Sequence, residues 1–207
     1  MQPWVGLHYC HALHKRLLVV GESHYLPAGS TIHHDSEVWY ASRQRDLNEK
    51  EQQWASTTGN ITGRWGRAHT IYREIARVLN ALINDLIPNE ESVFDHVAYA
   101  NYFLRPAPME GESMAGYVDR RDEDVAAEVL TWFIRTHRPE LIAVASKTAG
   151  RYAERILASA KLPYLITYYA GSPFWMTRFR DDFADFLQEH DWLAPSRIVV
   201  NRGDTTS

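Results

Sequence analysis

The chain has 207 residues, of which 45% are hydrophobic and 23% are charged, and its formal net charge at pH 7 is −4. This length and balance favour a single globular domain, and the lack of a bulk positive charge argues against a protein that coats nucleic acid while permitting a local basic groove. The one cysteine, Cys10, excludes an intramolecular disulfide, and no apolar run reaches the roughly 18 residues of a membrane span. We therefore expect a cytoplasmic protein without a leader peptide that does not bind a membrane.

Three histidines near the start of the sequence recur at intervals of three residues: His8, His11 and His14. Residues at this spacing share one face of a helix, and histidine is a common zinc ligand. No second pair of ligands with zinc-site spacing follows downstream. We interpret them as surface histidines, and we expect no metal site and no cofactor.

The apolar run 17–20 leads directly into Gly21. An unbroken apolar run is typical of a strand buried on both faces of a parallel sheet, and Gly21 and Pro27 bracket it too closely for a helix. Open α/β sheets bind ligands at the carboxyl ends of their strands. The residues after the glycine are therefore the first candidate site residues: Glu22, Ser23, His24 and Tyr25.

The segment 26–67 shows no strong periodicity. Long loops in compact domains are usually functional or disordered, and disordered tracts contain few aromatic residues. This segment contains three tryptophans, which favours a lid-like functional loop, and a short helix is expected over residues 36–45. The cationic and aromatic cluster at residues 64–67 is a candidate contact for a base or phosphate, with a solvated loop as the alternative.

Downstream, helical and strand patterns alternate. Apolar steps of three and four residues predict a helix over 68–87, a helix opening at Asp122, and helices over 147–161 and 174–190. Further strands are predicted at 93–103, 139–146 and 163–169, with an edge strand at 197–200. The alternation favours right-handed βαβ units. We expect a single α/β domain over 1–207, with three α/β/α layers around a central four-stranded, mainly parallel sheet.

Polar or aromatic residues follow the other predicted strands as well. Parallel strands place their ends at one edge of the sheet, which adds further candidates for substrate binding: Asn101, Tyr102, Ser146, Lys147, Gly171 and Ser172. An amide such as Asn101 offers a donor and an acceptor on one planar edge, as base recognition requires, or it bonds to nearby backbone. Tyr25 and Tyr102 are candidates for stacking on a flat ligand, with core packing as the alternative.

Four stretches resemble motifs of the uracil-DNA glycosylase superfamily. Residues 19–25 are similar to its strand that runs into a Gly-Gln-Asp-Pro-Tyr-like loop, and residues 99–102 to its strand that ends in the base-reading asparagine. Residues 139–144 stand in the place of a third apolar strand, and residues 170–173 in that of a His-Pro-Ser-Pro-like loop. Two positions differ, because Ser23 stands where the family has its water-orienting acid and Ala170 where it has its catalytic histidine.

The resemblance implies a uracil-DNA glycosylase-like fold and a DNA-repair hydrolase that excises a damaged base by hydrolysing the N-glycosidic bond. Its ligand would be DNA, or a nucleobase or nucleotide. Asn101 would hold the flipped base, Glu22 would stabilise the cationic sugar and His24 would donate to the leaving base.

The loop containing Gly171 and Ser172 would hold phosphates. Two alternatives stay open. One is a catalytically inactive nucleobase-binding or nucleotide-binding module. The other is a small-molecule hydrolase that uses Glu22 and His24.

Overall fold

The computed structural model describes residues 2–63, 70–109, 111–168 and 175–193. Its strands are Trp4–Val5 (β1), Leu17–Gly21 (β2), Ala98–Asn101 (β3), Leu141–Val144 (β4) and Tyr164–Ile166 (β5). Its α-helices are Ser36–Ala41 (α1), Glu49–Trp54 (α2), Thr57–Ile61 (α3), Thr70–Ile83 (α4), Arg120–His137 (α5), Lys147–Ala160 (α6) and Met176–Glu189 (α7). Short 3-10 helices occupy Gln44–Asp46, Asn84–Leu86, Val93–His96 and Met114–Gly116.

The strands form one mixed sheet in the order β1-β3-β2-β4-β5. The pairs among β2, β3, β4 and β5 are parallel, as predicted, whereas β1 pairs antiparallel with β3. The prediction of four strands is therefore wrong, because the sheet has a fifth, two-residue strand at its edge. A strand of two residues is too short to show the period of two by which strands are recognised.

β2 lies at the centre of the sheet and is buried along its whole length. Leu17 and Val19 pack in one apolar cluster with residues of α4 and α7. Leu18 and Val20 pack in a second cluster with residues of α5 and α6. Both faces of β2 are thus covered by helices, which is the reason for its unbroken apolar run.

Some element boundaries differ from the predicted ones. The helix predicted over 68–87 is α helical over Thr70–Ile83 and continues as a 3-10 turn, while residues 68 and 69 lie outside the described ranges. The strand predicted from residue 93 begins at Ala98, because Val93–His96 forms a 3-10 helix. A capping box explains this turn: the Ser92 hydroxyl accepts from the amide of Phe94, and the Asp95 carboxylate accepts from the amide of Ser92.

The described part of the 26–67 segment contains three short helices, α1 to α3. Each begins at a side chain that caps its first turn: Asp35, Asn48 and Ser56. α1 ends at Ala41, four residues before the predicted end, and the segment has a small apolar cluster of its own around Trp39 and Leu47. The cluster predicted at residues 64–67 lies outside the described residues.

A buried ion pair ties this segment to α5. Arg105 is 2% exposed and Asp122 is fully buried, and the Arg105 Nε donates to an Asp122 oxygen at 2.9 Å. Arg105 also donates to the carbonyl oxygen of His33 at 3.1 Å, and the Tyr40 hydroxyl donates to Asp122 at 2.9 Å. The hydrogen bonds to Asp122 raise the pKa of the Arg105 guanidinium. α1 is therefore fastened to the start of α5, and a lid-like movement of the segment stays a prediction.

Replacing Asp122 by asparagine should lower the free energy of unfolding by about 3 kcal/mol, because the buried Arg105 charge keeps only the more distant carboxylate of Asp119, at 3.9 Å. The matched control is Asp124→Asn on the same helix, whose ion pair with Arg120 is exposed to solvent and should contribute little. Urea unfolding of the three proteins measures both effects. Equal urea midpoints for Asp122→Asn and Asp124→Asn would contradict the stabilising role of the ion pair between Arg105 and Asp122.

The N-terminal histidines are not all on the surface, so the prediction of surface histidines is wrong for His14, which is 2% exposed. Its Nδ1 lies 3.1 Å from the Lys15 carbonyl oxygen and its Nε2 lies 3.0 Å from His96 Nδ1. The carbonyl oxygen only accepts, so Nδ1 of His14 carries the proton and Nε2 accepts from His96. His96 Nε2 lies 3.0 Å from the Glu91 carboxylate, and a hydrogen bond between these two groups requires a proton on one of them.

Among the described residues, no group of three or more His, Cys, Asp or Glu side chains is arranged to hold a metal ion.

Burial lowers the pKa of His14 from 6.5 to about 4, helped by the nearby charges of His96 and His11 and opposed by the Lys15 carbonyl and by Glu140. As pH falls from 6.5 towards 4, His14 therefore binds a proton in the unfolded chain but not in the folded protein. The free energy of unfolding falls by up to about 3 kcal/mol as a result. Urea midpoints measured from pH 7 to 4.5 should show a shallower loss in His14→Gln. His11→Gln, at an exposed ring, removes only one minor cause of the lowered pKa of His14 and should stay closer to the wild-type slope than His14→Gln does. Identical slopes in all three proteins would show that His14 does not cause the loss of stability.

Candidate functional site

The site begins with Glu22, the first residue after β2, whose side chain is almost completely buried. Its Oε1 accepts from the Ser113 hydroxyl at 2.6 Å and from the Met114 amide at 2.7 Å. Its Oε2 accepts from the Ser146 hydroxyl at 2.5 Å. All three partners donate, which fits an ionised carboxylate, a group that only accepts.

Ser146 holds Glu22 and begins α6 at the same time. While its hydroxyl donates to Glu22, its Oγ accepts from the Ala149 amide at 3.1 Å, which caps the helix. Ser113 in turn lies 3.0 Å from the Thr148 hydroxyl in the first turn of α6. The end of β2, the start of α6 and the loop before α5 are therefore joined through one carboxylate.

A cleft of about 190 Å³ opens beside this carboxylate. Four of the residues predicted for the site line it together: Glu22, Tyr25, Ser146 and Lys147. Ser113, Tyr168 and Trp175 also line it, and the sequence did not single them out. Ser113 lies in an irregular loop with no periodic signal, so only the fold reveals its place.

Two aromatic rings and the Lys147 ammonium form one side of the cleft, and Arg178 lies near these rings but outside the lining. Tyr168 and Trp175 stack with ring centroids 4.3 Å apart at an interplanar angle of 13°. The Lys147 ammonium lies 4.9 Å from the centre of the Tyr168 ring and donates to the Ile166 carbonyl at 3.0 Å. The Arg178 guanidinium lies 5.5 Å from the same ring. Flat rings and positive charge suit a planar ligand that carries phosphate.

A second, much smaller cavity of about 20 Å³ lies next to the same strand end. Glu22, Ser23, His24 and Tyr25 line it, together with Tyr99 and two residues of α4. His24 is 4% exposed, and its Nε2 lies 3.0 Å from the hydroxyl of Thr57 in α3. The two residues predicted to be catalytic, Glu22 and His24, therefore border one cavity but are positioned by different helices.

Asn101 ends β3 beside Gly21, with which it is in register. The Tyr99 hydroxyl donates to Asn101 Oδ1 at 3.0 Å, which fixes the orientation of the amide and leaves its NH₂ group as a donor. A methyl group on Gly21 would lie 2.1 Å from the Tyr99 oxygen and 2.4 Å from Asn101 Oδ1. Asn101 itself lines neither the cleft nor the small cavity, and it is joined to the small cavity only through Tyr99, which lines it. Its contact with a base therefore stays a prediction.

Tyr102 lies away from these cavities. It is 3% exposed and packs edge-to-face on Phe103 in the apolar cluster under α5 and α6, and burial raises its pKa to about 12. It lines neither the cleft nor the small cavity, so its stacking on a ligand stays a prediction. Gly171 and Ser172 lie outside the described residues, as does Ala170.

No protein-family model matches this chain, and a search of the curated proteins finds no match. Within the described ranges, no helix has both the length and the apolar character needed to cross a membrane. The assignment of a function therefore depends on the residues of the site and on the sequence resemblance.

Gly21→Ala should destabilise the protein by about 1–3 kcal/mol, because the added methyl group forces Tyr99 and Asn101 apart. The control is Gly116→Ala, whose added methyl group meets no atom within 4 Å. Thermal unfolding of both variants checks the difference. A Gly21→Ala protein as stable as the control would contradict the close approach of Asn101 to the end of β2.

Proposed function

We propose that this chain is a nucleobase-recognising protein that hydrolyses N-glycosidic bonds in DNA, as its resemblance to the uracil-DNA glycosylases implies. One observation carries the proposal: the Glu22 carboxylate, held by three donors at the carboxyl end of the central strand, borders a cleft lined by aromatic rings. A fixed negative charge beside aromatic surfaces suits a reaction in which a flat base leaves a sugar that becomes positively charged.

Glu22 is the residue that faces the developing charge. Departure of the base leaves an oxocarbenium-like sugar, and a carboxylate stabilises it most when it is already oriented. Water then adds to the anomeric carbon, so that a C–O bond replaces the broken C–N bond, and the proton that the water loses ends on the departed base. The donors Ser113, Met114 and Ser146 provide that orientation before the ligand arrives. They also prevent the side chain from turning away, so little reorganisation is needed during the reaction.

Asn101 and the aromatic residues bind the base in this proposal. The NH₂ group of Asn101, oriented by Tyr99, donates to a carbonyl oxygen of the base. Tyr25, Tyr168 and Trp175 offer ring surfaces in the cleft. Lys147 supplies a positive charge for the neighbouring phosphate.

His24 is the candidate donor to the leaving base. The Thr57 hydroxyl at its Nε2 fixes the orientation of the ring, and burial shields it from solvent. A neutral or protonated imidazole in this position can stabilise the negative charge that develops on the base. This role replaces that of the histidine that the family carries where Ala170 stands here.

The second candidate function is a binding module without catalysis. This function is favoured by the hydrogen bonding of Glu22, because both of its carboxylate oxygens already accept from protein donors. A carboxylate of this kind also stabilises a fold without taking part in a reaction. In that case Asn101 and the aromatic rings would still bind a base, and Glu22 would serve only to hold α6 against β2.

In the decisive experiment, the protein is incubated with single- and double-stranded oligonucleotides that carry uracil or hypoxanthine. Alkali is then added, which cleaves the strand at abasic sites. We expect strand scission, lowered at least about 100-fold by Glu22→Gln, by His24→Ala and by Asn101→Ala. Glu112→Gln is the matched control, because Glu112 lines the same cleft but pairs with Tyr117.

Scission that survives Glu22→Gln at the rate of the Glu112→Gln control would refute the role of Glu22. Absence of scission with every lesion, together with a thermal shift produced by free bases, would favour the binding module. Each variant is first checked by thermal unfolding, so that loss of activity is separated from loss of fold.

A further inference from the structure

A further cavity lies away from the Glu22 cleft, against the helices of the 26–67 segment. Its volume is about 410 Å³, which is within the range of small-molecule sites. The residues that matter for its chemistry come from α1, from the turn after it and from the α2–α3 region: Trp39, Tyr40, Arg43, Ser56, Thr57 and Thr58. The proposed reaction uses none of these residues as a catalytic group.

The lining of this cavity combines flat apolar surface with one positive charge. Trp39 and Tyr40 provide aromatic rings, and Leu47 and Leu104 provide aliphatic surface. Arg43 is the one charged residue among the described residues that line it. The Arg43 guanidinium takes part in none of the ion pairs found in the described part of the chain. Aromatic rings beside an exposed cation that forms no ion pair with the described residues suit a planar anion.

We propose that this cavity binds a small planar phosphate ester, of which a nucleoside monophosphate is the simplest representative. The ring system lies against the aromatic wall and the phosphate lies at Arg43. Thr58 and Gln52 belong to the same lining and supply polar contacts for the sugar. This binding is independent of the proposed base excision, because no residue of the Glu22 cleft takes part in it.

The cavity also communicates with the candidate site through one side chain. Thr57 lines the cavity, and its hydroxyl lies 3.0 Å from Nε2 of His24. A ligand that contacts this hydroxyl changes the hydrogen bond at His24. Occupation of the cavity therefore alters the environment of His24, and this second step deepens the proposed function.

Isothermal titration calorimetry with a nucleoside monophosphate, the matching nucleoside and inorganic phosphate tests the binding. We expect saturable binding of the monophosphate, weakened at least 10-fold in Arg43→Gln, and weaker binding of the other two probes. The matched control is Arg45→Gln, an exposed arginine two residues away that does not line the cavity. Absence of saturable binding, or an equal loss in both variants, would overturn the proposal.

The link to His24 is tested by NMR of its side-chain nitrogens during the same titration. We expect the monophosphate to shift these signals in the wild type, and Thr57→Val to lose that shift while retaining binding. A Thr57→Val protein in which the His24 signals still shift would overturn the link. Binding that depends on Arg43 in a protein without strand scission would leave this site standing and remove only the proposed excision.

Discussion

A buried carboxylate must be paired with donors, and this constraint organises the candidate site. Leaving Glu22 without partners at the end of a buried strand would cost several kcal/mol. Two hydroxyls and one backbone amide donate hydrogen bonds to the carboxylate and offset this cost. They belong to the start of α6 and to the loop before α5. The carboxylate thereby fixes the relative positions of three segments that are distant in the sequence, and the cleft between them follows from it.

Glu22 and Asn101 follow or end neighbouring parallel strands, but their side chains lie on different faces of the sheet, because successive residues on a strand point to opposite faces. Val20 and the Glu22 partner Met114 belong to the apolar cluster of α5 and α6. Val19 and the Asn101 partner Tyr99 belong to the cluster of α4 and α7. The Glu22 carboxylate and the Asn101 amide thus lie towards opposite faces of one sheet. Gly21 lies between them and leaves room for the amide.

The sequence was sufficient to predict the four parallel strands and several groups at their ends, because a buried strand has an unbroken apolar pattern. Glu22, Tyr25, Ser146 and Lys147 line one cleft for this reason. Features set by contacts distant in the chain could not be predicted in this way. Ser113 comes from an irregular loop, and His14 is buried by His96, which lies 82 positions away. The short helices α2 and α3 depend on single capping side chains and not on periodicity, whereas α1 begins where a helix was predicted.

The proposed excision requires that Glu22 face a sugar that becomes positively charged. A crystal structure with an oligonucleotide that carries a cationic pyrrolidine in place of the sugar tests it most directly, because this group imitates the charge of the oxocarbenium ion. We expect the ring nitrogen to lie within about 4 Å of the Glu22 carboxylate, in the cleft beside Tyr25. A pyrrolidine bound elsewhere on the protein, or with its nitrogen turned away from Glu22, would contradict it.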